Sequence, residues 1–188
     1  VIFWPGSAAL KTRTINQKYL PVFSHLVRNG RVVVQPIIKG TYDRVDPKLN
    51  DSISKHSNRD MMIKSMQDLS RTIDYLETRE DINSEELGYY GLSLGAMVGP
   101  IVLAVEDRID AAVFNAGGLH GPNRSFPESG PITFITHVQD PVLMINGEYD
   151  IVNPLETSQK PMFELLGTDP AHKKHVVSQA GHFAPRDV

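Results

Sequence analysis

No cysteine occurs in the 188 residues. That excludes a disulfide scaffold and any thiolate metal site, and it fixes no compartment. Long hydrophobic runs are also missing: a stretch such as Ile101-Val102-Leu103-Ala104-Val105 falls far short of the ~20 residues needed to cross a bilayer. Positive charge is not in excess, with 19 Lys and Arg against 22 Asp and Glu and a net charge of −3. The chain therefore carries no basic footprint for nucleic acid and no polybasic cluster facing an anionic membrane. No spaced set of His and carboxylates suggests a metal site, and no cofactor is called for. What is present, 40% hydrophobic residues, is the composition of a globular chain long enough for one domain around one sizeable core.

Both ends read as interior sequence. Val1-Ile2-Phe3-Trp4-Pro5-Gly6 is a strand already under way, without an initiator methionine or a signal peptide, and the chain stops at Pro185-Arg186-Asp187-Val188 soon after a Gly-His pair. The expectation is a partial single domain over residues 1–188, cut from a longer protein. Localisation and oligomeric state are not readable from it.

Strand-like and helix-like segments alternate. Residues 1–4 predict a strand. Residues 14–28 predict a helix by the spacing of Ile15, Tyr19, Phe23 and Leu26, stopped at Asn29-Gly30. Residues 31–38 predict a strand whose Val32-Val33-Val34 run is buried on both faces. Residues 40–59 are polar and read as a long loop. Over residues 61–80, Met62, Met66, Leu69, Ile73 and Leu76 form a helical stripe, with the methionines as core. Strands follow at 87–90, 111–114, 141–145 and 174–177. Helices are expected at 94–105 and 157–166, and residues 117–130, rich in glycine and proline, read as a loop. Repeated β-then-α units imply an α/β fold: a mostly parallel sheet with helices on both faces. Working residues in such a sheet sit at the carboxyl ends of the strands.

One of those ends carries chemistry. The strand Leu87-Gly88-Tyr89-Tyr90 runs into Gly91-Leu92-Ser93-Leu94-Gly95 and then a helix, the strand–turn–helix context in which Gly-x-Ser-x-Gly presents a serine on a sharp turn. The bland alternative is a glycine-rich turn with an idle serine. A serine hydroxyl needs a base to take its proton, and the base needs an acid to hold it in one tautomer. In this kind of site the order along the chain is Ser, then Asp or Glu, then His. The strand at 141–145 leads into Asn146-Gly147-Glu148-Tyr149-Asp150. Asp150 is the acid expected there, with Glu148 its rival in the same loop. The last strand leads into Gly181-His182-Phe183, which makes His182 the base. His172 and His175 lie before or at the start of that strand, while His25, His56, His120 and His137 fall in the wrong segments or the wrong order. For an oxyanion hole, the backbone N–H of Leu94 is one expected donor. The loop Pro5-Gly6-Ser7-Ala8 offers the other, Ser7 first and Ala8 next to it.

These blocks carry a resemblance. Gly91-Leu92-Ser93-Leu94-Gly95, Asn146-Gly147-Glu148-Tyr149-Asp150 and Gly181-His182-Phe183, in that order, resemble the α/β-hydrolase superfamily. The branch is that of dienelactone-hydrolase-like, acetyl-xylan-esterase-like and prolyl-oligopeptidase-type catalytic domains. Leu76-Glu77-Thr78-Arg79 and Glu156-Thr157-Ser158-Gln159 are similar to bacterial domains sometimes joined to kinase modules. Relative to the family, the first strands of the sheet and the helix after the histidine are absent, and the oxyanion loop lacks the His-Gly-Gly run of the lipase-like branch.

The resemblance implies a serine hydrolase acting on carboxylic esters through an acyl-enzyme, with a small-molecule ester or short peptide as substrate. Two rival readings stay open at the level of sequence. One is a serine peptidase of the prolyl-oligopeptidase type. The other is a binding or regulatory module on the same fold that no longer turns over.

Overall fold

The structure, a computed structural model, describes residues 1–15, 19–45, 55–119 and 127–183. Five strands form one sheet: β1 (Ile2–Trp4), β2 (Gly88–Leu92), β3 (Ala111–Asn115), β4 (Val142–Gly147) and β5 (Lys173–Ser178). They lie side by side in chain order and every pair is parallel. Among the described residues five α-helices accompany them: α1 (Leu20–Arg28), α2 (Lys55–Glu77), α3 (Leu94–Val105), the single turn α4 (Pro131–Phe134) and α5 (Lys160–Leu165).

Side chains of a strand alternate between the faces of a sheet, and here both faces are covered. Ile2, Trp4, Tyr89 and Phe114 enter the larger core with Leu69, Ile73 and Leu76 of α2 and Ile101, Val102 and Leu103 of α3. Phe3, Tyr90 and Leu92 point the other way, where Val22, Phe23 and Leu26 of α1 pack against them. The stripe expected on α2 behaves accordingly: Met66, Leu69, Ile73 and Leu76 are buried and Met62 packs against the same core. Each such side chain removed from water contributes roughly 1.5–3 kcal/mol. Helix α3, apolar on nearly every side, is the most enclosed, with eight residues buried, as suits a helix wedged between sheet and neighbours.

Several boundaries differ from expectation, and proline explains most of them. Helix α1 begins at Leu20 with Pro21 in its first turn, not at residue 14. Proline lacks an N–H and its ring clashes with the preceding turn, so it suits a helix's first turn and is costly in its interior. Among the described residues that cost is met only where α3 carries Pro100 in the core. Residues 16–18 of that expected helix lie outside the described residues. The strand expected at 31–38 is reduced to one bridge, Ile2 to Val34, with Phe3 N–H donating to Val34 (2.8 Å) and Val34 N–H to Val1 (2.9 Å). Pro36 cannot extend that ladder. Val32 is 46% exposed, so the run is not buried on both faces.

The helix expected at 157–166 is split. A π-helical turn, Leu155–Gln159, precedes α5, whose first turn holds Pro161. In the turn, the N–H of Gln159 reaches back to the carbonyl of Pro154 (3.2 Å). The loop expected at 40–59 gives way to helix already at Lys55, and α2 stops at Glu77; residues 46–54 lie outside the described residues. Of the loop at 117–130, residues 120–126 lie outside them too. The short turns at 131–137 were not expected. Among the described residues no helix is long and apolar enough to cross a membrane, and no group of three acidic or histidine side chains is placed to hold a metal ion.

Candidate active site

Strand β2 ends at Leu92, α3 begins at Leu94, and Ser93 alone makes the turn between them. It does so with φ 52° and ψ −106°, left-handed backbone that a non-glycine residue adopts only when its surroundings impose it. Those surroundings are two hydrogen bonds. Ser93 N–H donates to Asn115 at the end of β3 (2.8 Å), and its carbonyl accepts from Met97 one turn into α3 (2.9 Å). Close approach explains the glycine after it. A Cβ on Gly95 would lie 2.2 Å from the carbonyl oxygen of Trp4, so only glycine lets the end of β1 press against the start of α3. The N-terminus of α3 thus faces the serine with N–H groups that no earlier turn satisfies.

The expected acid and base come from adjacent strand ends. Beyond β4 and β5 the two exit loops are tied together, Glu148 N–H donating to Ser178 (2.8 Å) and Tyr149 N–H to Ala180 (2.9 Å). A Cβ on Gly147 would meet the Gly181 carbonyl at 1.9 Å, which makes glycine a condition of this contact. The result is that Asp150 and His182, 32 residues apart, meet side by side: Nδ1 of His182 lies 2.8 Å from Oδ2 of Asp150. The other ring nitrogen, Nε2, lies 2.8 Å from Oγ of Ser93. Asp150 is buried, and its Oδ1 accepts from the N–H groups of Val152 (2.8 Å) and Asn153 (3.0 Å). The carboxylate is therefore fully partnered and cannot rotate away from the imidazole without losing charge-assisted bonds.

Of the residues expected from sequence, Ser93, Asp150 and His182 are brought together. Glu148 is exposed on the loop's outer side. His175 is half-buried between strands, with Nε2 3.1 Å from Oδ1 of Asn146, and burial, followed by the charge of Lys160, pulls it below the usual histidine range. His25, His137 and His172 are exposed, and His120 lies outside the described residues. The loop after β1 is a 3-10 turn, Ser7–Leu10. It reaches the serine directly, since a Cβ on Gly6 would sit 3.4 Å from Cβ and 3.9 Å from Oγ of Ser93.

Sequence reasoning missed a set of buried amides beneath the acid loop. Gln159 Nε2 donates to the carbonyls of Gly147 (2.8 Å) and Asn153 (2.7 Å). Asn153 Nδ2 donates to Ala116 (2.9 Å), and Asn146 Nδ2 to Gly117 (2.8 Å). These bonds clamp the loop carrying Asp150 onto the end of β3. Asn146 and Asn153 follow an expected strand and look like ordinary loop, and Gln159 falls inside an expected helix, so hydropathy gave no sign of them. The π-helical turn that aims Gln159 inward is the kind of irregularity that collects at functional sites.

Comparison with known proteins agrees with this architecture. The profile of the dienelactone hydrolase family matches residues 13–187. Among solved structures, an esterase of Pyrococcus furiosus superposes with a TM-score of 0.71 at 16% identity, over 96% of this chain and 73% of that one. Acetyl xylan esterase 1 of Thermoanaerobacterium gives 0.70 at 14% identity, over 98% and 70%. An acylaminoacyl peptidase of Pyrococcus horikoshii gives 0.67 at 15% identity, over 96% of this chain but 32% of that one. No curated protein matches the chain significantly. With the family matched over nearly its whole length, the chain belongs to the dienelactone hydrolase family and is an esterase-like hydrolase on the α/β-hydrolase fold.

Proposed function

We propose that this enzyme cleaves carboxylic esters through a covalent acyl-enzyme on Ser93, with residues 1–188 being part of one catalytic domain. The observation that carries the reading is the unbroken line from Ser93 Oγ to His182 Nε2 (2.8 Å) and from His182 Nδ1 to Asp150 Oδ2 (2.8 Å). Neutral His182 takes the serine proton as Oγ attacks the carbonyl carbon. Asp150 holds the ring with its proton on Nδ1 and offsets the charge that forms. The tetrahedral oxyanion is met by the backbone N–H of Leu94 at the head of α3 and by that of Ser7 in the loop after β1. Collapse breaks the ester C–O bond, and His182 gives its proton to the departing alkoxide. Water then attacks the acyl-enzyme by the same sequence and frees the acid and Ser93. Esters are favoured over amides because an alkoxide leaves with less help than an amine.

A fluorophosphonate probe followed by mass spectrometry of the peptides tests the nucleophile. The adduct is expected on the peptide containing Ser93, and Ser93→Ala should fold, resist labelling and lose several orders of magnitude in ester turnover. An adduct on another serine, or parental turnover by the alanine variant, would remove the assignment. Running p-nitrophenyl esters beside aminoacyl p-nitroanilides separates esterase from peptidase action, with the esters expected to turn over faster.

A further inference from the structure

Beside Ser93 lies a cavity of about 290 Å³ that the mechanism above leaves unused. Its walls come from six separate places: the loop after β1, residues 38–41, the first half of α2, the start of α3, Gly118 beyond β3 and the head of α4. Gly6, where a Cβ would lie 3.4 Å from that of Ser93, and Leu94, the residue after the serine, are both among them, so the cavity opens next to Ser93 through its two neighbours. His182 and Asp150 reach Ser93 from the loops beyond β5 and β4, on one side of β2, whereas the loop after β1 that lines the cavity lies on the other side of β2. That places the cavity on the side of Ser93 away from the base. The leaving group must sit next to His182 to receive its proton, so a group reaching into this cavity is the acyl part of the substrate.

The lining selects a chemistry. Leu10, Ile38, Met61, Met62, Met97 and Val98 supply an apolar surface holding three of the chain's six methionines, whose unbranched thioether side chains shape themselves around a flexible guest. Gly40, at φ +89°, leaves room for Met61, since a Cβ there would come within 3.3 Å of its sulfur. Polar side chains in the wall are turned to partners elsewhere. Thr41 Oγ1 donates to the Ile38 carbonyl (2.8 Å), Ser65 Oγ to that of Met61 (2.9 Å), and Asn58 Nδ2 to Ser129 Oγ (3.0 Å). Lys39 is the one charged residue among the described walls.

We infer that this cavity is the acyl-binding site and that the enzyme prefers esters of unbranched, medium-length aliphatic acids. A methylene group needs about the room of a water molecule, roughly 30 Å³, so the space holds no more than about ten such groups, and an acyl chain of roughly six to eight carbons fits with its bends. This inference rests on Ser93 being the nucleophile.

A series of p-nitrophenyl esters from acetate to laurate tests it. For the parent, kcat/KM should climb about two- to four-fold per methylene as apolar surface is buried, peak at hexanoate or octanoate, and fall at laurate. Met97→Phe, which fills the cavity without touching the reacting atoms, should cut octanoate turnover by about ten-fold or more relative to acetate. Methyl octyl ketone, which cannot be hydrolysed, should shift the methionine methyl NMR signals of Met61, Met62 and Met97 in the parent protein and leave those of the core residues Met144 and Met162 in place.

The inference is overturned if acetate is the best ester. It is also overturned if a well-folded Met97→Phe loses all chain lengths equally, or if a carboxyl-tipped acyl chain drawn by Lys39 outruns the plain one. Should the probe leave Ser93 unlabelled and every ester intact, the reaction proposed above fails. The ketone titration then still decides for the cavity: shifts at Met61, Met62 and Met97 support an aliphatic-chain site, and their absence removes it.

Discussion

Ser93 holds a backbone conformation, φ 52° and ψ −106°, that costs an ordinary residue on the order of 1–3 kcal/mol, and the core around it carries that cost. Its partners are set by burial rather than by residue type. Asp150 and Glu148 share one loop and one chemistry, yet Asp150 is 2% exposed and accepts three hydrogen bonds while Glu148 stands in solvent. Asp150→Asn should therefore lower ester turnover by up to ~10⁴-fold, since an amide facing the ring favours the wrong imidazole tautomer. Glu148→Gln should remain within a few-fold of the parent. Steady-state rates on one p-nitrophenyl ester decide, and the reverse ranking would move the acid's role to Glu148. From the sequence, Asp150 was the expected acid and Glu148 its rival in the same loop, but the burial that sets the two apart is not written in a five-residue motif.

Two motif glycines that look alike in sequence differ at the level of elements. A Cβ on Gly95 would run into the Trp4 carbonyl at 2.2 Å, while a Cβ on Gly181 would meet nothing within 4 Å. Gly95→Ala must push β1 and α3 apart. Overpacking of this kind costs about 3 kcal/mol, or a drop in Tm of roughly 6–12 °C for a chain of this size. Turnover should fall with it, because the same contact sets the loop after β1 against Ser93. Gly181→Ala should melt near the parent and keep most of its activity. Calorimetry of the two variants makes the comparison, and a Gly95→Ala protein as stable and active as the parent would show that the elbow tolerates a wider gap. Helices were legible where an apolar stripe ran unbroken, as on α2, and misread where a proline interrupted a plausible stripe, at Pro21 and Pro161.

At the scale of the whole molecule, stability should carry the signature of His175, which bridges β5 to Asn146 on β4. Burial, then the positive charge of Lys160, holds its folded-state pKa below the ordinary value of 6.5. The unfolded chain therefore takes up this proton first as pH falls. The contribution is complete above about 6.5 and is lost progressively as pH drops toward the lower folded-state value. Urea midpoints should fall between pH 7.5 and 5.5, and His175→Gln should show a smaller fall over the same range. An identical pH slope in parent and variant would mean that His175 titrates alike folded and unfolded. The other histidines contribute equally to both proteins and cancel in the difference.

The sequence by itself determined the alternation of strands and helices, the strand–serine–helix turn, and the order of Ser93, Asp150 and His182 along the chain. Those features rest on local causes: the period of apolar residues, the chemistry of turns and the spacing of a motif. Only the tertiary structure decided the rest. It reduced the valine run at 32–34 to a single bridge beside β1 and chose Asp150 over Glu148 for burial. It also gathered Asn146, Asn153 and Gln159 beneath the loop of Asp150 and assembled the cavity beside Ser93 from six distant stretches of chain. Each of these depends on which segments become neighbours once the sheet has formed, and a side chain's surroundings, unlike its backbone preference, do not exist until they do.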